Sequence, residues 1–174
     1  MKPEELKKCI RDIPNFPQEG IVFKDISTLL KNKKAFKNSI DLLARKFKKE
    51  KVEYVVGVES RGFIFGAPLA YVLGAGFVPV RKKGKLPYKT KSITYALEYG
   101  KDTLEIHEDA LRPNSRVLIV DDLLATGGTI RAVMDLLKGF KPKIVGITFL
   151  VELKFLQGKD KIKDFPLYSV IQYD

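Results

Sequence analysis

The chain has 174 residues but a single cysteine, Cys9, and a single histidine, His107. A lone cysteine closes no internal disulfide. A lone histidine, flanked by Glu105 and Glu108 but with no second His or Cys, makes no metal set, and His107 is read as a surface residue. Met1 to Arg11 lacks the apolar core of a signal segment, so a reducing cytoplasm is the expected setting. The one stretch without charge that approaches membrane-spanning length, Ile64 to Val80, is broken by Gly66, Pro68, Gly74, Gly76 and Pro79. It reads as a short helix, a glycine turn and a strand, Phe77 to Arg81, and not as a membrane span. Repeats and low-complexity segments are absent, and 45% hydrophobic residues suit one domain, 1–174, with a substantial core. Acid is the scarcer charge: 21 Asp and Glu against 32 Lys and Arg leave +11. That excess favours an anionic partner, whether nucleic acid, a membrane surface or a polyphosphate substrate.

The order of helical and strand signals predicts an α/β domain with a central, mainly parallel sheet flanked by helices. Leu6, Cys9, Ile10 and Ile13 mark the apolar side of a helix over Pro3 to Asp12, ended by Pro14-Asn15-Phe16-Pro17. Gly20 to Ile26 reads on periodicity as a core edge strand. Asn32 is positioned to cap a helix running to about Lys51, with Phe36, Ile40, Leu43, Ala44 and Phe47 inward and lysines outward. That lysine face has no interleaved aromatics to stack bases and reads as solvated. Strands are expected at Val52 to Val58, Ile144 to Val151 and Leu167 to Gln172, and a hairpin at Ser92 to Tyr99 and Thr103 to His107 around Gly100-Lys101-Asp102. The basic loop Arg81 to Lys89, taken alone, suits RNA, a membrane or pyrophosphate equally.

The chemistry concentrates in Arg116 to Thr129, RVLIVDDLLATGGT. Val117 to Val120 is an apolar run of the kind buried on both faces of a parallel sheet, and it stops at Asp121 and Asp122. After Thr126, Gly127, Gly128 and Thr129, the residues Ile130, Val133, Met134 and Leu137 recur at helical spacing. Unpaired amides and the dipole at a helix start favour a phosphate; the glycines permit close approach and the threonine hydroxyls donate. The two carboxylates suit the paired hydroxyls of a ribose or a hydrated Mg²⁺. Together they describe a site for a ribose 5-phosphate. No lysine follows the glycines as a P-loop requires, and the string is not GxGxxG. A second strand-loop-helix unit begins at Glu59-Ser60-Arg61-Gly62-Phe63, where Arg61 is placed to grip an anion at the sheet edge.

RVLIVDDLLATGGT resembles the phosphoribosyl-pyrophosphate (PRPP) motif of the type I phosphoribosyltransferases. IVFKDI, ESRGFIFG, RKKGKLP, YALEYGKDTLEI, LVELKFL and YSVIQYD resemble, in order and across nearly the whole chain, segments of the adenine phosphoribosyltransferase family. RKKGKLP with LEYGKDTLEI makes the adenine-specific likeness sharp. The resemblance implies that fold with a small hood and hairpin region, and transfer of ribose 5-phosphate from PRPP to N9 of adenine, giving AMP and pyrophosphate. It implies Mg²⁺ held with PRPP or pyrophosphate and not at a protein metal site, and a homodimer that binds neither nucleic acid nor membrane. Ala125 to Thr129 would hold the 5-phosphate, Asp121 and Asp122 the ribose hydroxyls. Arg61, Lys82 and Lys85 would neutralise pyrophosphate, with Glu59, Ser60 and Arg81 as neighbouring substrate contacts. Phe23 and Leu153 would sandwich the purine while backbone groups of Val22 and Lys24 read its edge. Glu98 would handle the proton, and Tyr99 belongs to a loop closing over the site. A non-proline cis peptide at Glu59-Ser60 is implied as well. Two rivals are a transferase for a 6-oxo base or orotate, for which Lys154 is a candidate donor, and a PRPP-sensing regulator that binds nucleic acid.

Overall fold

A seven-stranded sheet carries the loops from which the site is built. The computed structural model describes residues 1–96 and 100–174. Five strands run parallel: β3 (Tyr54–Val58), β4 (Gly76–Lys82), β7 (Arg116–Leu124), β8 (Lys143–Leu153) and β9 (Leu167–Tyr173), with β5 (Thr90–Ala96) and β6 (Lys101–His107) as an antiparallel hairpin against β4. The order is β5-β6-β4-β3-β7-β8-β9.

Helices cover both faces. Leu118 and Val120 of β7 point into a cluster with Leu43, Phe47, Phe65 and Leu69, from α3 (Lys33–Phe47) and α4 (Arg61–Leu73). Val117 and Ile119 point the other way, to Ile130, Val133 and Leu137 of α5 (Gly128–Leu137). Burial on both sides is why the strand is apolar at successive positions. The Asn32 side chain accepts from the amides of Lys34 and Ala35 at 3.1 Å each, the cap expected of it.

The N-terminus departs from its periodicity. The helix α1 is only Pro3–Lys7, and Arg11–Pro14 is a strand, β1, antiparallel to β2 (Val22–Asp25) in a separate two-stranded ribbon, followed by the single turn α2 (Ser27–Leu30). Arg11 lies opposite Asp25 and Asp12 opposite Lys24, each pair bridged by an ion pair, 2.6 and 2.8 Å. Cross-strand charge pairing thus overrides the helical spacing of Ile10 and Ile13. Nor is β2 a core edge strand: Val22 is exposed, because a two-stranded ribbon encloses no core.

Strand β7 continues past Val120, since its ladder with β8 persists to Leu124 opposite Glu152, so both aspartates sit within the strand. In the hairpin, Lys101 and Asp102 pair with Ala96 and Tyr95 instead of forming a turn. His107 is half-buried, not a surface residue. It packs edge-on against Tyr88 at 6.1 Å, with its Nε2 buried and lacking a hydrogen-bond partner. No helix among the described residues is long and apolar enough to cross a membrane.

Candidate active site

The strand order reverses between β3 and β7. From β3 the chain passes through α4 to β4 on one side, and β7 then takes the other side. In open α/β sheets a crevice forms at the carboxyl ends of two such strands. Here those ends lead into Glu59-Ser60-Arg61 and into the loop 125–129. A cleft of about 630 Å³ opens there, lined among others by Arg61, Lys82, Lys85, Asp121, Asp122 and Thr129.

The loop forms its own hollow of about 80 Å³, bounded by Ala125, Thr126, Gly127, Gly128 and Thr129 with their neighbours. Helix α5 starts at Gly128, so the first amides of the helix have no acceptor within it. Gly127 has φ +77°, which disfavours any side chain, and the loop is pressed from behind by Gly158. A Cβ on Gly158 would collide with the Ala125 carbonyl oxygen and come within 2.9 Å of the Gly127 nitrogen.

Opposite the loop lies a set of acids and bases in mutual contact. The Glu59 carboxylate accepts from Arg81 Nε and Nη2 at 3.2 Å each, from the Lys82 amide at 3.0 Å and from Lys85 Nζ at 2.8 Å. Burial opposes its ionisation, but the Lys85, Arg81 and Lys82 hydrogen bonds prevail and hold its pKa at about 2. The Glu59–Ser60 peptide is cis, as the resemblance implies. Lys82 Nζ lies 3.1 Å from Asp102, and Arg61 Nε 2.9 Å from Asp122 Oδ2. Asp121 Oδ1 accepts the Asp122 amide at 2.8 Å. Burial, and then the charge of Asp122, pushes the Asp121 carboxyl well above its usual range; burial also raises Asp122, with Arg61 opposing. Burial thus opposes ionisation of the pair and Arg61 favours it, and the ionised carboxylates offer acceptors to vicinal hydroxyls.

The ribbon meets this cluster through Arg61, whose guanidinium carbon lies 5.2 Å from the Phe23 ring centroid. Lys24 Nζ lies 4.2 Å from the centroid of the Tyr173 ring, and Tyr173 pairs with Leu153 across β8 and β9. Phe23 thus lies against Arg61, while Lys24 and Leu153 meet at Tyr173. Lys154, the candidate reader of a 6-oxo base, is paired with Asp174 at 2.5 Å.

Every anticipated phosphate, ribose and pyrophosphate residue among the described ones lies at this sheet edge, Arg81 behind the cleft wall and the others along it. Glu98 and Tyr99 fall outside the described residues. Three further participants carry no local sequence signal. Tyr95 reaches from β5 to within 3.4 Å of the Thr129 hydroxyl. Asp102 pairs with Lys82, and Gly158 backs the loop 125–129.

A phosphoribosyl transferase domain model matches residues 25–171. The adenine phosphoribosyltransferase of Brachyspira hyodysenteriae is 55% identical over 169 residues, 97% of this chain and 99% of that protein. The crystal structure of the Thermoanaerobacter pseudethanolicus adenine phosphoribosyltransferase superposes with a TM-score of 0.95 at 52% identity, covering 99% of this chain and 100% of that one. The Saccharomyces cerevisiae enzyme, complexed with an imino-altritol bisphosphate and adenine, gives a TM-score of 0.90 at 42% identity, covering 97% of each chain. A glycine-bearing helix start, twin aspartates and a facing cationic wall at the sheet's switch point thus accompany close similarity over nearly the full length, and the chain belongs to the phosphoribosyl transferase family, among the adenine phosphoribosyltransferases.

Proposed function

We propose that this protein transfers ribose 5-phosphate from PRPP to N9 of adenine, releasing pyrophosphate and forming AMP. The observation that carries this reading is the cleft itself. A hollow at the start of a helix adjoins, through Asp121 and Thr129, a cleft lined by Arg61, Lys82 and Lys85. The 5-phosphate takes the amides of loop 125–129 and the Thr126 and Thr129 hydroxyls. The ribose hydroxyls take Asp121 and Asp122. The diphosphate lies against Arg61, Lys82 and Lys85, beside Ser60.

Breaking the C1–pyrophosphate bond leaves positive character on the ribose and concentrates negative charge on the leaving group. Prepositioned cations stabilise that charge as it forms. Mg²⁺ enters with the diphosphate as part of the substrate. Among the described residues no group of three or more His, Cys, Asp or Glu is placed to hold a metal. Glu59 and Asp102 are already ion-paired, and Mg²⁺ bound with the diphosphate would supply further positive charge to the leaving group. Adenine stacks between Phe23 and Leu153, with backbone groups of Val22 and Lys24 at its edge. Glu98 manages the proton at the base, and Tyr99 belongs to the closing loop.

The enzyme works as a cytoplasmic homodimer in this reading. The outer face of α4 supports the dimer: Ile64, Ala67, Tyr71 and Val72 recur at helical spacing and are exposed. The decisive assay supplies PRPP and Mg²⁺ with adenine, hypoxanthine, guanine, xanthine or orotate in turn. AMP from adenine alone is expected; nucleotide from a different base, or none from adenine, refutes the assignment.

A further inference from the structure

We propose that Glu59 and Arg81 form a fixed pair that positions the pyrophosphate loop, leaving Lys85 as the cation handed over to the diphosphate. The inference rests on the transferase reading and changes two of its roles: neither Glu59 nor Arg81 binds substrate.

The Glu59 side chain is only 8% exposed, and four donors converge on its two oxygens. That fills the acceptor sites of a carboxylate. It has nothing left for a sugar hydroxyl, and its charge would repel a diphosphate. Its place between the end of β3 and the start of α4 makes it the internal counter-ion of the loop 81–85.

Arg81 and Lys85 share this carboxylate on unequal terms. The Arg81 fork spends Nε and Nη2 on Glu59, while Nη1 donates to the Lys85 carbonyl at 3.1 Å. Three of its five N–H donors are thus spent within the loop, one from each nitrogen, and Arg81 is absent from the cleft lining. A planar, two-point pair of this kind is geometrically rigid. Lys85 makes one contact through a flexible stem, is 49% exposed and does line the cleft. An ammonium has three donors, so two remain for phosphate oxygens. The loop is also tied at Gly84, whose amide donates to Glu105 at 2.9 Å. Arg81 thus anchors the Lys85 backbone while Glu59 holds the Lys85 head near its point of use.

The test measures Mg²⁺-pyrophosphate binding by calorimetry, alongside KM for PRPP and for adenine, in wild type, Glu59→Gln, Arg81→Met and the double variant. Each single change is expected to weaken pyrophosphate binding by about tenfold, with the double variant no weaker than either, the signature of residues acting as one unit. KM for PRPP should rise in parallel while KM for adenine stays unchanged, a split that general loosening of the fold would not give. Glu59→Asp, which keeps the charge on a shorter stem, should recover part of the loss and also serves if Glu59→Gln folds poorly. Multiplying losses would make Arg81 a direct diphosphate ligand and overturn the inference. So would pyrophosphate binding in Glu59→Gln as tight as in wild type. An active wild type with either result defeats only this inference, whereas a wild type that makes no AMP defeats the transferase reading.

Discussion

Arg61 Nε lies 2.9 Å from Oδ2 of Asp122, a carboxylate only 6% exposed. Glycine makes the approach possible: a Cβ on Gly62 would stand 2.8 Å from Asp121 Oδ1. The helix carrying Arg61 therefore starts directly against the aspartate pair. Burial raises the Asp122 pKa and Arg61 opposes it, so removing the cation moves both carboxyls further up. With ionised carboxylate required at the ribose, the acid limb of kcat/KM in Arg61→Ala should shift to higher pH, making the loss larger at pH 6 than at pH 8. At neutral pH turnover should fall roughly 100- to 1,000-fold, the usual effect of deleting one prepositioned donor. Arg61→Lys keeps the charge and should keep the wild-type acid limb. A pH profile of AMP formation for the three proteins decides this, and an unshifted limb in Arg61→Ala would remove the link between the guanidinium and the pair.

The legible parts of the site are those whose meaning is local. Two acids, a glycine pair and flanking threonines within one short segment announce a phosphate loop because each requirement is met by a near neighbour in sequence. Asn32 declares its helix for the same reason, since its side chain bonds amides two and three residues on. Glu59 was legible as a loop acid and, through the resemblance, as a substrate contact, but not as a counter-ion, because Arg81 and Lys85 lie 22 and 26 residues away. The N-terminal ribbon was misread because its pairing depends on Asp25, 14 residues from Arg11. Gly158 carries no signal at all, as the backbone it supports lies in another loop.

That last contact yields a direct experiment on the loop. A methyl group at position 158 must displace the Ala125 carbonyl or the Gly127 amide, both of them backbone. Gly158→Ala should raise KM for PRPP at least about tenfold and weaken AMP binding, with KM for adenine little changed, because a shift near 1 Å at a phosphate site is costly. Gly139→Ala is the matched control. Its added methyl would meet only the end of the flexible Lys91 side chain, 3.4 Å away. Steady-state kinetics in which both variants match wild type would show that the loop does not depend on its backing.

The ribbon that presents Phe23 is held by Asp25, which accepts from the Ser27 hydroxyl and amide at 2.9 Å each and from Arg11 Nη2 at 2.6 Å. The Ser27 side-chain and backbone hydrogen bonds, followed by Arg11, lower its pKa from 3.8 to about 2. A carboxylate depressed on folding contributes stability that is complete above its unfolded pKa and disappears as pH falls through the folded one. The stability gap between wild type and Asp25→Asn, read by urea denaturation, should therefore be full above pH 4 and close as pH approaches 2. Near neutral pH, Asp25→Asn should raise KM for adenine severalfold and leave KM for PRPP unchanged, since only the base-binding side loses support. Equal rises in both would place the ribbon's role elsewhere.

Tyr95 offers the finest test of how the hairpin meets the phosphate loop. Its hydroxyl lies 3.4 Å from Thr129 Oγ1, a long contact between neutral groups, and both side chains line the cleft. A neutral hydrogen bond contributes about 0.5–1.5 kcal/mol net, and at this length the lower part of that range applies. Tyr95→Phe should accordingly raise KM for PRPP only about two- to threefold. Thr129→Val should cost more, because in the proposed complex the threonine hydroxyl also donates to the 5-phosphate. If the tyrosine acts by orienting that hydroxyl, the double variant behaves like Thr129→Val alone. If it reaches the substrate independently, the two losses multiply. Kinetics on the four proteins of the cycle separate these cases, and the first is expected from a geometry in which Tyr95 approaches the loop through Thr129.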